Sequence, residues 1–319
     1  MLESGTETIP LYPRRRLAGS PFGGFSSIRR GSGSDIASSR PYQPGDHIHT
    51  IDWKSSARLS SARESAEFIV RERHAEEMPR VVVVVDRRPD MSLYPPELPW
   101  LSKPRAVAAA VDLIVASTLN QRGLVGYLDA ASHDDVGSEP GTPFWSPPRA
   151  QSGVWQTDLR GRFATYMSGR FDAPEDSLDR ALTFLAAVRG ALPVGSFVFV
   201  LSDFTARLSL PAWQHLVEQG WDVIPVIVQD PVWEQHFPAV DGVLIPLTDP
   251  RQARQSHVRL DAREVELRRE SHEARLDSLR TDFLGLELDT VLIGDSSRDA
   301  VHASFVSWAD SRSALRGRR

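Results

Sequence analysis

Two aspartates that lie far apart in the chain could form one ion site. Asp86 ends the apolar run "VVVVVD", and Asp203 ends "FVFVLSD". Apolar runs without polar interruption are typical of strands covered on both faces, so both carboxylates are expected at strand ends. Two carboxylates at one sheet edge repel each other unless a cation lies between them. Arg88 could supply that cation, and Asp90 a third carboxylate.

Two kinds of ion site remain open for these side chains. In the first, Asp86, Asp90 and Asp203 hold Mg²⁺ through oxygen ligands. In the second, Arg88 neutralises Asp86 and Asp203, because its guanidinium is a fixed cation with a fork suited to carboxylates. Two like charges about 4 Å apart repel by roughly 4 kcal/mol at an effective dielectric of about 20, so a metal beside Arg88 is disfavoured. No cofactor is therefore expected, and Mg²⁺ is the alternative.

The composition excludes several classes of site. The 319 residues include no cysteine, which excludes disulfides, thiolate nucleophiles and iron–sulfur clusters. The net charge of −5 gives no sign of a nucleic-acid partner. No apolar run reaches the roughly 18 residues of a membrane span and no signal peptide is recognisable, so a cytoplasmic location is expected. No phosphate-binding or dinucleotide-binding glycine pattern follows a strand.

Strands and helices alternate from residue 80 onward, which predicts a doubly wound, mostly parallel α/β sheet. The predicted strands are 81–85, 124–130, 141–146, 196–203, 221–230, 242–247 and 289–294. The predicted helices are 103–123, 174–190, 211–220, 261–284 and 298–312. Ligands of such sheets gather where the strand order reverses, so the strands that end at Asp86 and Asp203 are expected to be neighbours. Pro246 favours an edge position for its strand.

The N-terminal region is predicted to be separate from this sheet. Residues 1–79 are expected to form an arm and cover, and residues 80–319 the α/β domain. Residues 1–35 are rich in Gly and Ser, which indicates a mobile arm or an extended cover. Residues 65–76 are expected to form an edge strand or an amphipathic strand.

A turn and a tryptophan stand out within this region. Pro44 and Gly45 suit the centre of a type II turn, since glycine adopts positive φ without strain. Trp53 is expected to anchor the cover on the domain. His47 and His49 share a face if they lie on a strand, but no third ligand is placed near them, which favours surface polar residues over a zinc site.

Five segments resemble the bacterial family called domain of unknown function 58, a von Willebrand factor A-like branch found beside MoxR-type AAA+ ATPases. They are "RPYQPGDHIHTIDWKSSAR" (40–58), "VVVVVDRRPDM" (81–91), "FVFVLSDF" (197–204), "WDVIPVIVQDPVWEQHFP" (221–238) and "SFVSWADSR" (304–312). The resemblance implies a von Willebrand factor A-like, Rossmann-type fold. The motif residues expected to be structural are Pro44, Gly45, Asp46, Asp52, Trp53, Arg58, Asp230, Pro231, Trp233 and Glu234.

The resemblance also implies an ion site, from which this sequence departs. Von Willebrand factor A-like domains bind metal through an Asp-x-Ser-x-Ser motif, a threonine near a later helix start, and a final acid. The matching positions here are Asp86, Arg88, Asp90, Asp176, Ser177 and Asp203. An arginine in this motif indicates a degenerate metal site.

Two functions from different classes follow. The resemblance implies a non-enzymatic interaction module that works with a MoxR-type AAA+ ATPase in the assembly or remodelling of client proteins. The alternative is a Mg-dependent phosphohydrolase or nuclease, because such enzymes also hold Mg²⁺ with strand-end carboxylates. Such enzymes usually carry an acid-x-acid pair, and Asp86 is followed instead by two arginines that could bind phosphate. The incomplete set favours a protein without enzymatic activity.

Overall fold

The described chain contains a six-stranded sheet, two separate strand pairs and surrounding helices. The structure, a computed structural model, describes residues 7–14, 21–44, 46–63, 68–93, 100–133, 139–148, 163, 165–188, 190, 192–206, 208–250 and 254–316. The strands are β1 (Pro21–Pro41), β2 (Ile69–Glu77), β3 (Arg80–Val85), β4 (Leu124–Asp129), β5 (Phe144–Ser146), β6 (Phe197–Ser202), β7 (Asp222–Val228), β8 (Leu244–Asp249), β9 (Arg254–Arg259) and β10 (Val291–Ile293). The helices are α1 (Trp53–Arg63), α2 (Lys103–Asn120), α3 (Ser177–Ala187), α4 (Leu210–Glu218), α5 (Ala262–Gly285) and α6 (Arg298–Arg316).

The central sheet has the strand order β10-β7-β6-β3-β4-β5. All neighbours are parallel except β5, which runs antiparallel to β4 at one edge. The chain builds outward from β3 to β5 and then returns to add β6 on the other side of β3. The strand order therefore reverses between β3 and β6, where Val85 lies opposite Leu201. The predicted mixed α/β fold and its mostly parallel sheet are confirmed.

Helices cover both faces of the sheet, which explains the uninterrupted valines of β3. Val81, Val83 and Val85 are buried on the face covered by α2 and α6. Val82 and Val84 are buried on the face covered by α3, α4 and α5. Successive side chains of a strand point to opposite faces, so a strand with two covered faces has no position that favours a polar residue.

Proline, glycine and aspartate set the helix ends as the sequence predicts. Pro104 lies in the first turn of α2, where its missing N–H leaves no hydrogen bond unmade. After α2 the Gly123 N–H donates to the Thr118 carbonyl at 2.8 Å, and a Cβ on Gly123 would lie 2.6 Å from Thr118 Cγ2. Asp261 caps α5 by accepting from the Glu264 N–H at 2.8 Å. None of the described helices combines the length and apolar content needed to cross a bilayer.

The predicted edge strand at 242–247 is present but does not join the main sheet. It forms the antiparallel hairpin β8–β9, with Leu244 opposite Arg259. Phe237, Leu260 and Val265 form a small apolar cluster of their own there. The sequence did not predict β9, because "RQSHVR" lacks apolar alternation.

Two residues near the N-terminus contribute to the core of the main sheet. Ile9 and Leu11 are buried in the same core cluster as β3, and the Ile9 N–H donates to Ser117 Oγ at 3.0 Å. The strand predicted at 65–76 is β2, which pairs with β1 and through Val70 with Ile51, and which forms no edge of the main sheet among the described residues. The residue pattern also missed α1, whose sequence "WKSSARLSSAR" has little apolar periodicity.

Candidate functional site

The two strand-end aspartates lie side by side where the strand order reverses. Asp86 follows β3, and Asp203 follows β6. The Asp86 N–H donates to the Leu201 carbonyl at 2.9 Å, which extends the pairing of the two strands to the site. Both carboxylates are buried, so each needs a compensating positive charge or several hydrogen bonds.

The Arg88 guanidinium lies between these carboxylates. Its Nη2 is 2.7 Å from Asp86 Oδ2 and 2.8 Å from Asp203 Oδ1, and its Nε is 2.9 Å from Asp86 Oδ2. The Arg88 backbone N–H donates to Asp86 Oδ1 at 2.9 Å. Burial lowers the pKa of Arg88, but the charges of Asp86 and Asp203 outweigh burial and raise it overall. The arginine is therefore a permanent cation at this site.

Lys103 is a second cation of the site, and the residue pattern did not reveal it. Its Nζ donates to Asp203 Oδ2 at 2.8 Å and to Glu234 Oε1 at 2.6 Å. The side chain is fully buried at the start of α2. Burial lowers the pKa of Lys103, but the charges of Asp203 and Glu234 outweigh burial and raise the pKa overall. The sequence contained one signal for this residue, the rarity of lysine, since Lys54 and Lys103 are the only lysines.

The turn after β7 delivers Glu234 to Lys103. Asp230 Oδ1 accepts from the N–H groups of Val232 and Trp233 at 2.8 and 2.9 Å, which fixes the turn. Glu234 Oε2 accepts from the Asp230 N–H at 2.8 Å. Burial raises the pKa of Glu234 despite the opposing effect of Lys103. The motif "DPVWE" therefore completes the ion site, although the sequence analysis treated it as structural.

The ion-pair network is defined here as Asp86, Arg88, Lys103, Asp203 and Glu234. Its charges come from the ends of β3 and β6, the start of α2 and the turn after β7. A buried network of this kind is stable only when each charge has partners, so losing one member leaves another uncompensated.

The remaining predicted ligands lie at the margin of the network or outside it. Asp90 Oδ2 is 3.9 Å from Arg88 Nη1, at the outer limit of an ion pair. Asp176 is exposed and pairs with Arg180 at 2.7 Å, so its placement in the ion site is wrong. Ser177 is buried as the first residue of α3, and no hydrogen bond to its Oγ is found in the described part of the chain.

The family-motif residues near residue 45 form a separate ion pair. Arg40 donates to both Asp46 carboxylate oxygens at 2.7 and 2.6 Å, and the Asp46 N–H closes a turn on the Gln43 carbonyl at 3.0 Å. Pro44 lies within that turn, and Gly45 lies outside the described residues. The His47 and His49 rings are close, 5.2 Å apart. The described residues contain no group of three or more side chains placed to bind a metal.

Trp53 does not anchor a cover, contrary to the sequence analysis. Trp53 is 58% exposed, and the centroid of its ring lies 5.8 Å from that of Phe68 in an edge-to-face contact. Asp52 is buried beside it and accepts from Arg71 Nε at 2.7 Å. Asp52 therefore pairs with an arginine of β2, and Arg58 of the same motif is exposed.

A second buried polar cluster lies at the end of β4. Arg87 Nη2 donates to Tyr127 Oη at 3.2 Å, and Tyr127 Oη donates to Asp129 Oδ2 at 2.7 Å. His133 Nε2 is 2.9 Å from both Asp129 oxygens. Burial raises the pKa of Tyr127, so its hydroxyl stays protonated. The residue pattern did not reveal this cluster, although Asp129 lies at the end of β4 just as Asp86 and Asp203 follow β3 and β6.

Part of the chain matches a known protein family. Residues 38–134 match the family described as "Protein of unknown function DUF58". The DUF58 match spans the N-terminal motif, β3 and three of the five members of the ion-pair network, Asp86, Arg88 and Lys103. A search of curated proteins found no match.

Two solved structures are similar in outline. BatB, a conserved hypothetical protein from Bacteroides thetaiotaomicron, is 14% identical with a TM-score of 0.41, over 73% of this chain and 99% of that one. An aerotolerance-related membrane protein from Bacteroides fragilis NCTC 9343, carrying multiple mutations to serines, is 13% identical with a TM-score of 0.36. That comparison covers 65% of this chain and 99% of the other.

Acid should destabilise the fold by protonating Asp203. Burial raises its pKa, but the charges of Lys103 and Arg88 outweigh burial and hold the pKa well below the usual range. The pKa of an aspartate in an unfolded chain is about 3.9. Ionised Asp203 therefore stabilises the fold fully above about pH 4, and this stabilisation is lost as the pH falls toward the lower pKa of the folded state. Thermal unfolding followed from neutral pH into acid should show this loss of Tm.

Two substitutions test the assignment of this acid sensitivity. Asp203→Asn should flatten the acid limb of the Tm profile relative to the wild type, because the amide does not titrate. Asp176→Asn, at an exposed aspartate, should leave the acid limb unchanged. An acid limb that is as steep in Asp203→Asn as in the wild type would assign the sensitivity to other carboxylates.

Proposed function

We propose that this chain is a non-enzymatic protein-interaction module with a von Willebrand factor A-like fold and a degenerate ion site. The observation that carries the proposal is the position of Arg88, whose Nη2 lies 2.7 Å from Asp86 and 2.8 Å from Asp203. A built-in cation supplies the charge that a metal would supply in a von Willebrand factor A-like site. The site then acts as a structural clamp between β3 and β6.

The hydrogen bonds around the carboxylates support an arginine-filled site over a Mg²⁺ site. Asp86 Oδ2 accepts from Ser202 Oγ at 2.6 Å as well as from Arg88. Asp203 Oδ1 accepts from the Thr205 N–H at 3.0 Å, and its Oδ2 accepts from Lys103 at 2.8 Å. Mg²⁺ would have to displace these donors and lie beside two fixed positive charges, which like-charge repulsion disfavours.

The turns held by the network would form the docking surface. The charged members are themselves buried, so a partner would touch the surrounding loops. These are the short helical turn Pro89–Ser92, Thr205 after β6, and Val232 in the turn after β7. These loops together are called the strand-end rim. Val232, which is 37% exposed, gives the strand-end rim an apolar contact point. Loops fixed by a buried network lose little conformational entropy on binding.

A MoxR-type AAA+ ATPase is the proposed partner, acting with the module on client proteins. The basis is the resemblance of the motifs at 40–58 and 81–91 and the DUF58 match that includes them. The chemistry of the arginines opposes the alternative of a Mg-dependent phosphohydrolase or nuclease. Arg87 and Arg88 could bind a phosphate only if exposed, and both are buried in contacts with carboxylates.

The partner assignment is tested by binding to a MoxR-type ATPase encoded in the same genome. Purified module and ATPase should associate in calorimetry with ATP, without ATP, or in both conditions. Val232→Glu should weaken the association at least ten-fold, because it places a charge on the apolar rim. Val240→Glu is the matched control, since Val240 is equally exposed at 37% and should tolerate the change. Absence of association in both nucleotide conditions would refute this partner.

The ion-site and enzyme alternatives are tested separately. Titration of the wild type with Mg²⁺ or Mn²⁺ should produce no binding heat at micromolar metal. Micromolar binding that Asp86→Ala abolishes would contradict the arginine-filled site. Metal-dependent turnover of generic phosphatase or nuclease substrates, lost in Asp203→Asn, would replace the interaction module with the enzyme.

A further inference from the structure

An exposed group of aromatic rings lies on the N-terminal region, away from the strand-end rim in sequence. The aromatic platform, as it is called here, consists of Tyr42, Trp53 and Phe68. The residues are 37%, 58% and 44% exposed. Phe68 contacts Trp53 at 5.8 Å and Tyr42 at 6.4 Å, both edge to face, so the rings form one continuous surface. Tyr42 and Trp53 belong to the motif at 40–58, to which the residue pattern alone assigns no binding role.

Hydrogen bonds between separate segments hold the platform in place. The Tyr42 N–H donates to the Phe68 carbonyl at 2.8 Å. The Ile69 N–H donates to Ser56 Oγ at 2.8 Å, which ties the segment carrying Phe68 to α1. The Asp52 N–H donates to the Ile69 carbonyl at 2.8 Å just before Trp53. Aromatic side chains on a fixed backbone lose little freedom on binding, which favours a recognition surface.

Two exposed basic residues lie close to the platform in sequence. Lys54 and Arg58 are exposed one helical turn apart on α1, and neither has a carboxylate partner in the described part of the chain. Among the described residues, the two acids nearest Trp53 in sequence, Asp46 and Asp52, are both paired with arginines. A hydrogen bond from Arg40 holds the pKa of Asp46 at about 2. Hydrogen bonds from Ser55 and then Arg71 hold the pKa of Asp52 at about 2.

We propose that the aromatic platform binds an acidic segment of a partner protein that carries an aromatic or large aliphatic side chain. The apolar side chain would pack on the exposed Trp53 ring, and carboxylates would pair with Lys54 and Arg58. Clusters of Trp, Tyr and Arg are the usual energetic centres of protein interfaces. This surface differs from the strand-end rim, so the inference goes beyond the proposed function and does not rest on it.

The same observations favour a protein segment over an anionic lipid surface. Each cation near an anionic bilayer raises binding by only about five-fold, so Lys54 and Arg58 together give weak attachment. The rings also contact each other and are partly buried, which leaves little apolar length to insert into lipid.

The test is selection of binding peptides from a random peptide library displayed on phage. The full chain is the target, and Trp53→Ser is the counter-target that removes sequences bound elsewhere. Selected peptides should contain Asp or Glu together with Trp, Phe or Leu. A synthetic copy should bind the wild type at least ten-fold more tightly than Trp53→Ser, because removal of an interface tryptophan has effects of that size.

Charge variants and a control variant distinguish binding at the aromatic platform from non-specific peptide binding. Lys54→Glu and Arg58→Glu should each weaken peptide binding, and added salt should weaken it further. Leu267→Ser on α5 is the matched control, since Leu267 is also largely exposed at 53% and should leave affinity unchanged. Trp53→Ser should keep the wild-type Tm, and Lys54→Glu replaces it as the decisive variant if it does not.

Three outcomes would overturn the inference. One is that no acidic sequence is enriched. Another is that enriched peptides bind Trp53→Ser or Lys54→Glu as tightly as they bind the wild type. The third is that the protein sediments with vesicles of equal parts phosphatidylglycerol and phosphatidylcholine, which would assign the platform to lipid. Failure to bind the ATPase leaves this test unaffected, because that association is assigned to Val232 on the rim.

Discussion

Replacing Asp203 with alanine should lower the free energy of unfolding by about 3–5 kcal/mol, the usual effect of breaking a buried ion pair. Asp203 is the one network carboxylate that pairs with both cations, Arg88 at 2.8 Å and Lys103 at 2.8 Å. Without it, two buried positive charges face each other across a cavity. Urea denaturation followed by tryptophan fluorescence measures the loss, with the slope of the transition checked for two-state behaviour.

An exposed aspartate gives the matched control for this substitution. Asp176→Ala removes the same side chain from an exposed pair with Arg180, so its effect should stay below about 1 kcal/mol. Near-equal losses in Asp203→Ala and Asp176→Ala would show that the network does not hold the strand ends together. A large loss in Asp203→Ala alone would confirm that the structural clamp exists.

Replacing Arg88 with serine should convert the site from an arginine-filled one into one that divalent cations stabilise. The substitution leaves Asp86 and Asp203 facing each other and should destabilise the metal-free protein by about 3–5 kcal/mol. It also places a hydroxyl where the Asp-x-Ser-x-Ser motif has one. Mg²⁺ or Mn²⁺ at about 100 times its dissociation constant would restore roughly 2.7 kcal/mol. Thermal unfolding with and without metal should show this rescue in the variant and no shift in the wild type.

A second substitution makes the metal rescue specific. Adding Asp86→Asn to Arg88→Ser should abolish the effect of metal, because the amide is a weaker ligand and carries no charge. Equal stabilisation of the wild type by metal would contradict the view that Arg88 fills the site. An Arg88→Ser protein as stable as the wild type would contradict the view that Arg88 is needed to hold the two aspartates together.

The half of the site contributed by β3 and β6 could be predicted because its information is local. The valine run fixes where β3 lies and therefore that Asp86 comes at its end, and the same reasoning applies to β6 and Asp203. Arg88 lies two residues after Asp86, within reach of it whatever the rest of the fold. The rule that strand order reverses between such strands then brings Asp203 to the same place.

The other half of the site could not be predicted, because its partners are distant in sequence. Lys103 lies 100 residues from Asp203 and 131 residues from Glu234. Nothing in the helical spacing of α2 indicates that the side chain of its first residue contacts two buried carboxylates. Asp176 was misplaced for the complementary reason, since its position at the start of α3 says nothing about which way that start faces.

The sequence by itself determined the strands of the main sheet and the helices α2–α6 that flank it, that both sheet faces are covered, and that acids follow β3 and β6, because apolar periodicity and capping act over a few residues. Only the tertiary structure decided that Lys103 and Glu234 join the network, that β8 leaves the main sheet to pair with β9, and that Trp53 faces solvent. These outcomes depend on contacts between segments whose sequence separation no local pattern encodes. The physical reason is that local preferences choose each element, whereas burial of charge and apolar surface between elements chooses their partners.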